Sequence, residues 1–120
     1  MEEIIDIIAH KVYNIQENKE YVNMNRYFSI VRKAMTIDRI LKIEDEKERM
    51  HISDAEYHYE TCRNVLIYET DNKERYKYID KKLLLEKQLK PYNLPVTEKD
   101  AEEELLRRVS TIHMDAQKSR

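Results

Sequence analysis

Apolar residues recur along this chain at intervals of three and four rather than two, a spacing that predicts helices. Ile4, Ile5, Ile8, Val12 and Ile15 mark a first helix over residues 3–16, broken by the polar stretch from Gln16 to Lys19. A second pattern over 20–49 carries Met24, Tyr27, Phe28, Val31, Ala34 and Met35. Its apolar stripe then moves toward Ile37, Ile40 and Leu41, which predicts a bend or a change of packing partner near Thr36. The mixed-sign run EDEKERM reads as the solvated continuation of the same helix.

Polar punctuation sets the remaining boundaries. Ser53-Asp54-Ala55-Glu56 has the form of a capping box, in which serine and glutamate reciprocally satisfy free backbone donors, and predicts a third helix over 53–70. Asp71-Asn72-Lys73-Glu74 repeats the device with Asp71 as cap, opening a fourth helix over 72–90 that stops before Pro91. The segment PYNLP is the only proline-rich loop. Thr97 with Asp100 caps a fifth helix over 98–115, with Ala101, Leu105, Val109 and Ile112 on one face, and the tail AQKSR is expected to fray. The pattern therefore predicts an all-α fold over 1–120, a single compact bundle of about five helices with no β-sheet. Helices of this length are marginal alone and must bury their apolar stripes against one another.

Composition narrows the possible chemistry. Among 120 residues there is no glycine, which removes the P-loop, the dinucleotide fingerprint and the nucleophile elbow, all of which need glycine's backbone freedom or its lack of a side chain. Lysine and arginine number 22 against 24 acids, so the net charge of -2 makes nucleic acid an unlikely partner. The acidic, periodic N-terminus MEEIIDIIAH is unlike a signal peptide, and no apolar run approaches the roughly 20 residues needed to span a bilayer. One cysteine permits no internal disulfide, and the expectation is a soluble cytoplasmic protein with no membrane partner.

Candidate chemistry concentrates in residues 54–78, DAEYHYETCRNVLIYETDNKERYKY, which hold five of the nine tyrosines. His58 and Cys62 share one side of a helix, with Asp54 one turn earlier, the spacing of a metal-ligand pair. No CxxC, HxxxH or second ligand pair accompanies them, and a thiol nucleophile would also need a base and a lowered pKa. Both residues are therefore assigned to a core stripe with Ala55, Tyr59, Val65 and Leu66. The acids Glu102, Glu103 and Glu104 complement a helix dipole rather than form a catalytic pair. The reading is non-enzymatic, with no catalytic residue, metal or cofactor.

A second stripe on the third helix is aromatic and uncharged: Tyr57, Thr61, Asn64 and Tyr68 fall within about 60° of one another. On the fourth helix Tyr76, Ile79 and Leu83 form one face, and Tyr78, Leu85 and Leu89 another. Either this hairpin is sandwiched between other helices or one of its faces docks a partner. Tyrosine combines contact area with a polar tip and is enriched at interfaces, so the candidate partner-binding residues are Tyr57, Thr61, Asn64, Tyr68, Tyr78 and Leu85. Lys73, Arg75, Lys77, Lys81 and Lys82 with Tyr76 and Tyr78 also have the makings of an RNA patch, diluted by Asp71, Glu74, Asp80 and Glu86.

Over roughly residues 20–109 the chain resembles the YqeY family, whose helical domain is related to the tail of the GatB amidotransferase subunit. The resemblance lies in NKEYVNMNRYFSIVRKAM leading a long helix, the capped start ISDAE, a helical hairpin, and YNLPVTEKDAEEEL. It implies an accessory domain associated with tRNA-dependent amidation. The chain departs from that family in lacking a glycine at the hairpin turn, in extra residues around Leu94 and Pro95, and in having no room for the family's tail domain. By size and composition it is also similar to small bacteriophage proteins that bind and inhibit host enzymes, including those that block NAD-depleting immune effectors. The leading expectation is thus a phage- or prophage-encoded interaction protein that binds and blocks a larger bacterial protein. The amidation-associated domain is the alternative.

Overall fold

The computed structural model describes residues 2–21 and 23–118. Among them the chain is all-α, with helices α1 (Glu2–Glu17), α2 (Met24–Leu41), α3 (Glu46–Tyr68), α4 (Asn72–Leu89) and α5 (Glu98–Lys118), a 3-10 turn at Lys90–Tyr92, and no strand. Of the tail expected to fray, Ala116, Gln117 and Lys118 belong to α5, and the last two residues lie outside the described set.

The largest departure from the sequence pattern is the division of the expected 20–49 helix. α2 begins only at Met24, runs without interruption through Thr36, whose hydroxyl donates to the Arg32 carbonyl at 3.0 Å, and ends at Leu41. The chain then turns through Ile43, which is buried and donates its N–H to the Ile40 carbonyl at 3.1 Å, while Arg49 donates to the Ile43 carbonyl at 3.1 Å. α3 starts at Glu46, after an extended Asp45, with Glu46 and Glu48 in its first turn. The acids of EDEKERM therefore sit where a helix N-terminus concentrates unpaired N–H groups and favours negative charge. Ser53 and Glu56 fall two turns inside α3, where backbone donors are already committed to the helix, so this capping box caps nothing.

The other two caps form. The Asp71 carboxylate accepts from Lys73 N at 2.9 Å, and Glu69 Oε1 accepts from the N–H groups of Thr70 and Asp71 at 3.0 and 2.9 Å. At α5 the reciprocal pair is complete: Asp100 N donates to Thr97 Oγ1 at 3.1 Å and Thr97 N to the Asp100 carboxylate at 3.3 Å.

Two helix ends show how a chain without glycine stops a helix. After α1, Lys19 N donates to the Gln16 carbonyl and Glu20 N to the Ile15 carbonyl, with Lys19 at φ 57°. After the 3-10 turn, Asn93 N donates to the Lys90 carbonyl and Leu94 N to the Leu89 carbonyl, with Asn93 at φ 59°. Both have the 6→1 and 5→2 bonding of the Schellman motif, whose left-handed position usually holds glycine. In the second motif Leu89 and Leu94, the two residues whose side chains meet in such caps, are both buried.

The chain divides into two compact units. One comprises α1, α2 as far as Asp38, and the chain from Val96 with α5; its core is Ile5, Ile8, Ala9, Val12, Val31, Ala34, Ala101, Leu105 and Val109. Met24, Tyr27, Phe28, Met35 and Ile112 pack against that core. An ion-pair network ties α5 to α1: Arg108 reaches Glu104 at 2.7 Å and Asp6 at 2.8 Å, and Arg107 reaches Glu104 at 2.7 Å. Burial disfavours ionisation of Glu104, but the hydrogen bonds from Arg107 and Arg108 outweigh it and hold the carboxyl below its ordinary range.

The other unit runs from Arg39 to Pro95 and is dominated by the α3 and α4 hairpin. Paired residues run in opposite directions along the two helices: Arg75 with the Leu66 carbonyl at 2.7 Å, Tyr59 with Glu86 at 3.2 Å, Gln88 with His51, and Tyr92 beyond α4 with Glu48. Arg75 also donates to the Glu69 carbonyl at 2.9 Å, so one guanidinium satisfies carbonyls that the end of α3 leaves without helical partners. Arg39 donates to the Asn93 carbonyl, tying the last turn of α2 to the loop after α4. The buried side of α3 is Ile52, Ala55, Tyr59 and Cys62, and small Ala55 and Cys62 let α4 approach closely.

Candidate functional site

The candidate site is the side of α3 turned away from α4. With the buried side fixed by Ile52, Ala55, Tyr59 and Cys62, the 100° step per residue places Met50, Tyr57, Thr61, Asn64 and Tyr68 close to the diametrically opposite line. The exposures agree: Met50 is 66% exposed, Tyr57 68% and Tyr68 83%, and Thr61 and Asn64 are also exposed. The Thr61 hydroxyl donates to the Tyr57 carbonyl at 3.1 Å, which leaves the methyl and the tyrosine rings as the relief of this face. The charges nearest that line are Glu46 at the helix start and, toward its two edges, Asp54 and Glu60, in a chain of which 38% is charged.

At the N-terminal half of α3 the stripe runs into a groove of about 450 Å³, lined by Ile40 and Leu41 from the last turn of α2 and by Arg49, Met50, Ser53, Asp54 and Tyr57 from α3. The groove exists because the chain breaks at residues 42–45 and folds α3 back beside the end of α2, and an uninterrupted helix over 20–49 would have no such wall. Tyr57 belongs both to the groove and to the stripe. Met50, Ile40 and Leu41 had no place in the candidate set from sequence, and the signal that could have found them is the acidic start at Glu46, read there as a helix flank.

The remaining candidates separate. Tyr78 and Leu85 are half-buried on the side of α4 that also carries Arg75, Glu86 and Leu89, so they do not join Tyr57 and Tyr68 on one surface. The outward side of α4 exposes Tyr76 by 69%, Leu83 by 52% and Leu84 by 67%. The basic residues of α4 also part company, because Arg75 caps α3 and Lys82 lies 3.9 Å from Glu86. Lys73, Lys77 and Lys81 remain exposed.

His58 and Cys62 are not a pair. Cys62 is buried, but His58 is exposed rather than in the core stripe: its Nε2 lies 3.4 Å from Asp54, and its ring meets Tyr57 edge-on at 5.7 Å. His58 is spaced equally, by about 40° round the helix, from Asp54 and from Cys62, and the edge of the buried side falls between His58 and Cys62. Among the described residues no three His, Cys, Asp or Glu side chains converge on a metal position. Val65 and Leu66 are half-buried. Tyr59 is the perturbed acid of the hairpin: burial first, then the neighbouring Glu86 carboxylate, push its hydroxyl up to about 12. The hydrogen bond to Glu48 raises Tyr92 in the same direction.

No known protein family, curated protein or solved structure matches the chain. Among the described residues no helix is long and apolar enough to cross a membrane.

Proposed function

We propose that the chain is a non-enzymatic interaction module that docks a larger protein on the outward stripe of α3 and inhibits it by occupancy. The observation that carries this reading is the joint exposure of Tyr57 and Tyr68, at 68% and 83%, on one helix face that runs into a groove walled by Ile40, Leu41 and Met50 as well as Arg49 and Asp54. Large rigid aromatics are the groups that dominate binding energy at protein interfaces. Thr61 and Asn64 between them supply short polar groups that desolvate at lower cost than charges.

The target that size and composition favour is a bacterial antiphage effector that depletes NAD, with this chain as its phage- or prophage-encoded antagonist. The test is to titrate the purified chain into such an effector and follow NAD consumption alongside calorimetric binding. Inhibition saturating at a fixed stoichiometry is expected. Replacing Tyr57 and Tyr68 together with Ala should weaken the complex by about 2 kcal/mol, roughly thirtyfold in Kd, with the helical circular-dichroism signal retained. An unchanged Kd in the double variant overturns the stripe as the docking surface, and absence of inhibition by the unaltered chain overturns this class of target.

A further inference from the structure

We infer that the first occupant of the α3 stripe is a second copy of this chain, packed antiparallel across a two-fold axis; this rests on the reading of the stripe as a docking surface. The support is the self-complementarity of the face. Centred near residue 59, an antiparallel pair sets Met50 against Tyr68 of the second copy, Asp54 against Asn64, and Tyr57 against Thr61. Each pairing joins apolar to aromatic, carboxylate to amide donor, or ring to methyl, and a two-fold axis makes every one of them twice. A parallel pair would set Asp54 on Asp54.

The outward side of α4 offers an equally apolar surface in Tyr76, Leu83 and Leu84 but fails the same comparison. Centred on Asp80, an antiparallel pair there opposes Asp80 to itself and Lys73 to Lys87 of the second copy. In registers that pair the outermost apolar residues of each helix, charge thus favours α3 over α4 for self-association.

Area sets the strength. From Met50 to Tyr68 the stripe is about 27 Å long at about 1.5 Å per residue. One helix pair of that length lies near the lower end, about 1,200 Å², of specific interfaces, so the dimer is weak and concentration-dependent. A weak dimer covers the tyrosines while the chain is free and yields to a partner that contacts the groove as well.

The experiment is sedimentation equilibrium on the full chain alone over a wide concentration range. The expected mass rises with concentration from 14.7 kDa toward twice that value. Tyr68→Lys, at a side chain too exposed for its replacement to disturb folding, should raise the dimerisation midpoint by about tenfold or more. Leu84→Lys on α4 should leave the midpoint where it was. A mass of 14.7 kDa at every concentration overturns the dimer, as does a dimer insensitive to Tyr68→Lys or dissolved by Leu84→Lys. Because no other protein is present, failure here leaves the docking of a larger partner to be judged by its own titration.

Discussion

The two units are held together by different means. In the first, most residues that recur at helical spacing are buried: Ile5, Ile8 and Val12 on α1, Val31 and Ala34 on α2, Ala101, Leu105 and Val109 on α5, with Ile4 the exposed exception. In the second, the hairpin buries Ile52, Ala55, Tyr59 and Cys62 on α3 and Leu89 on α4, and side-chain hydrogen bonds such as Arg75 to Leu66 and Tyr59 to Glu86 join the two helices. Large apolar residues are exposed in both, Ile4, Ile7, Tyr21, Ile30, Leu106 and Met114 in the first and Leu41, Met50, Tyr57, Ile67, Tyr68, Tyr76, Leu83 and Leu84 in the smaller second. Where periodicity and burial coincide, apolar residues are accounted for by folding. Where they diverge, the apolar residues left outside are the ones available for binding.

The sharpest way to break this contrast is to cut one leucine from each class. Leu105→Ala, at a fully buried side chain, should cost about 2–5 kcal/mol in urea unfolding, whereas Leu84→Ala, at an exposed one, should stay within about 0.5 kcal/mol. Equal losses would show that exposure does not separate structural from available leucines.

The polar fixing of the hairpin has a pH signature. Below pH 10 Tyr59 is protonated whether folded or unfolded. Between 10 and about 12 it ionises in the unfolded chain while the folded state holds the neutral form, so stability is lost as pH rises through that window. Tyr59→Phe should flatten the alkaline slope of the melting temperature, and an unchanged slope would remove Tyr59 from the account.

A smaller effect compares the two left-handed caps. Lys19 carries a side chain into a conformation that disfavours one, so Lys19→Gly should stabilise by about 1 kcal/mol in chemical denaturation. Asn93→Gly should gain less, because asparagine tolerates that region better than lysine. The reverse order would mean that local backbone strain does not limit the first unit.

Much of the helical plan was legible in the order of residues. Asp71 and the Thr97 and Asp100 pair cap the helices they were expected to cap, since such bonds span two or three residues and need nothing from elsewhere. Ser53 and Glu56 show the limit of the same rule: a capping sequence acts only where the helix has a free end, and the buried turn at Ile43 put that end seven residues earlier. His58 shows another limit, because its i,i+4 relation holds equally toward Asp54 and toward Cys62, and only the position of α4 decides which neighbour shares its side.

The sequence by itself determined the all-α class, the first unit's core and the aromatic, uncharged character of the α3 stripe, because periodicity and side-chain chemistry are local properties. The tertiary structure decided that Tyr57 and Tyr68 face outward while Tyr78 and Leu85 turn toward the seam, and that Ile40, Leu41 and Met50 line a groove beside Tyr57. A helix with apolar residues on more than one side has several faces it could bury, and only the packing of its neighbours selects among them.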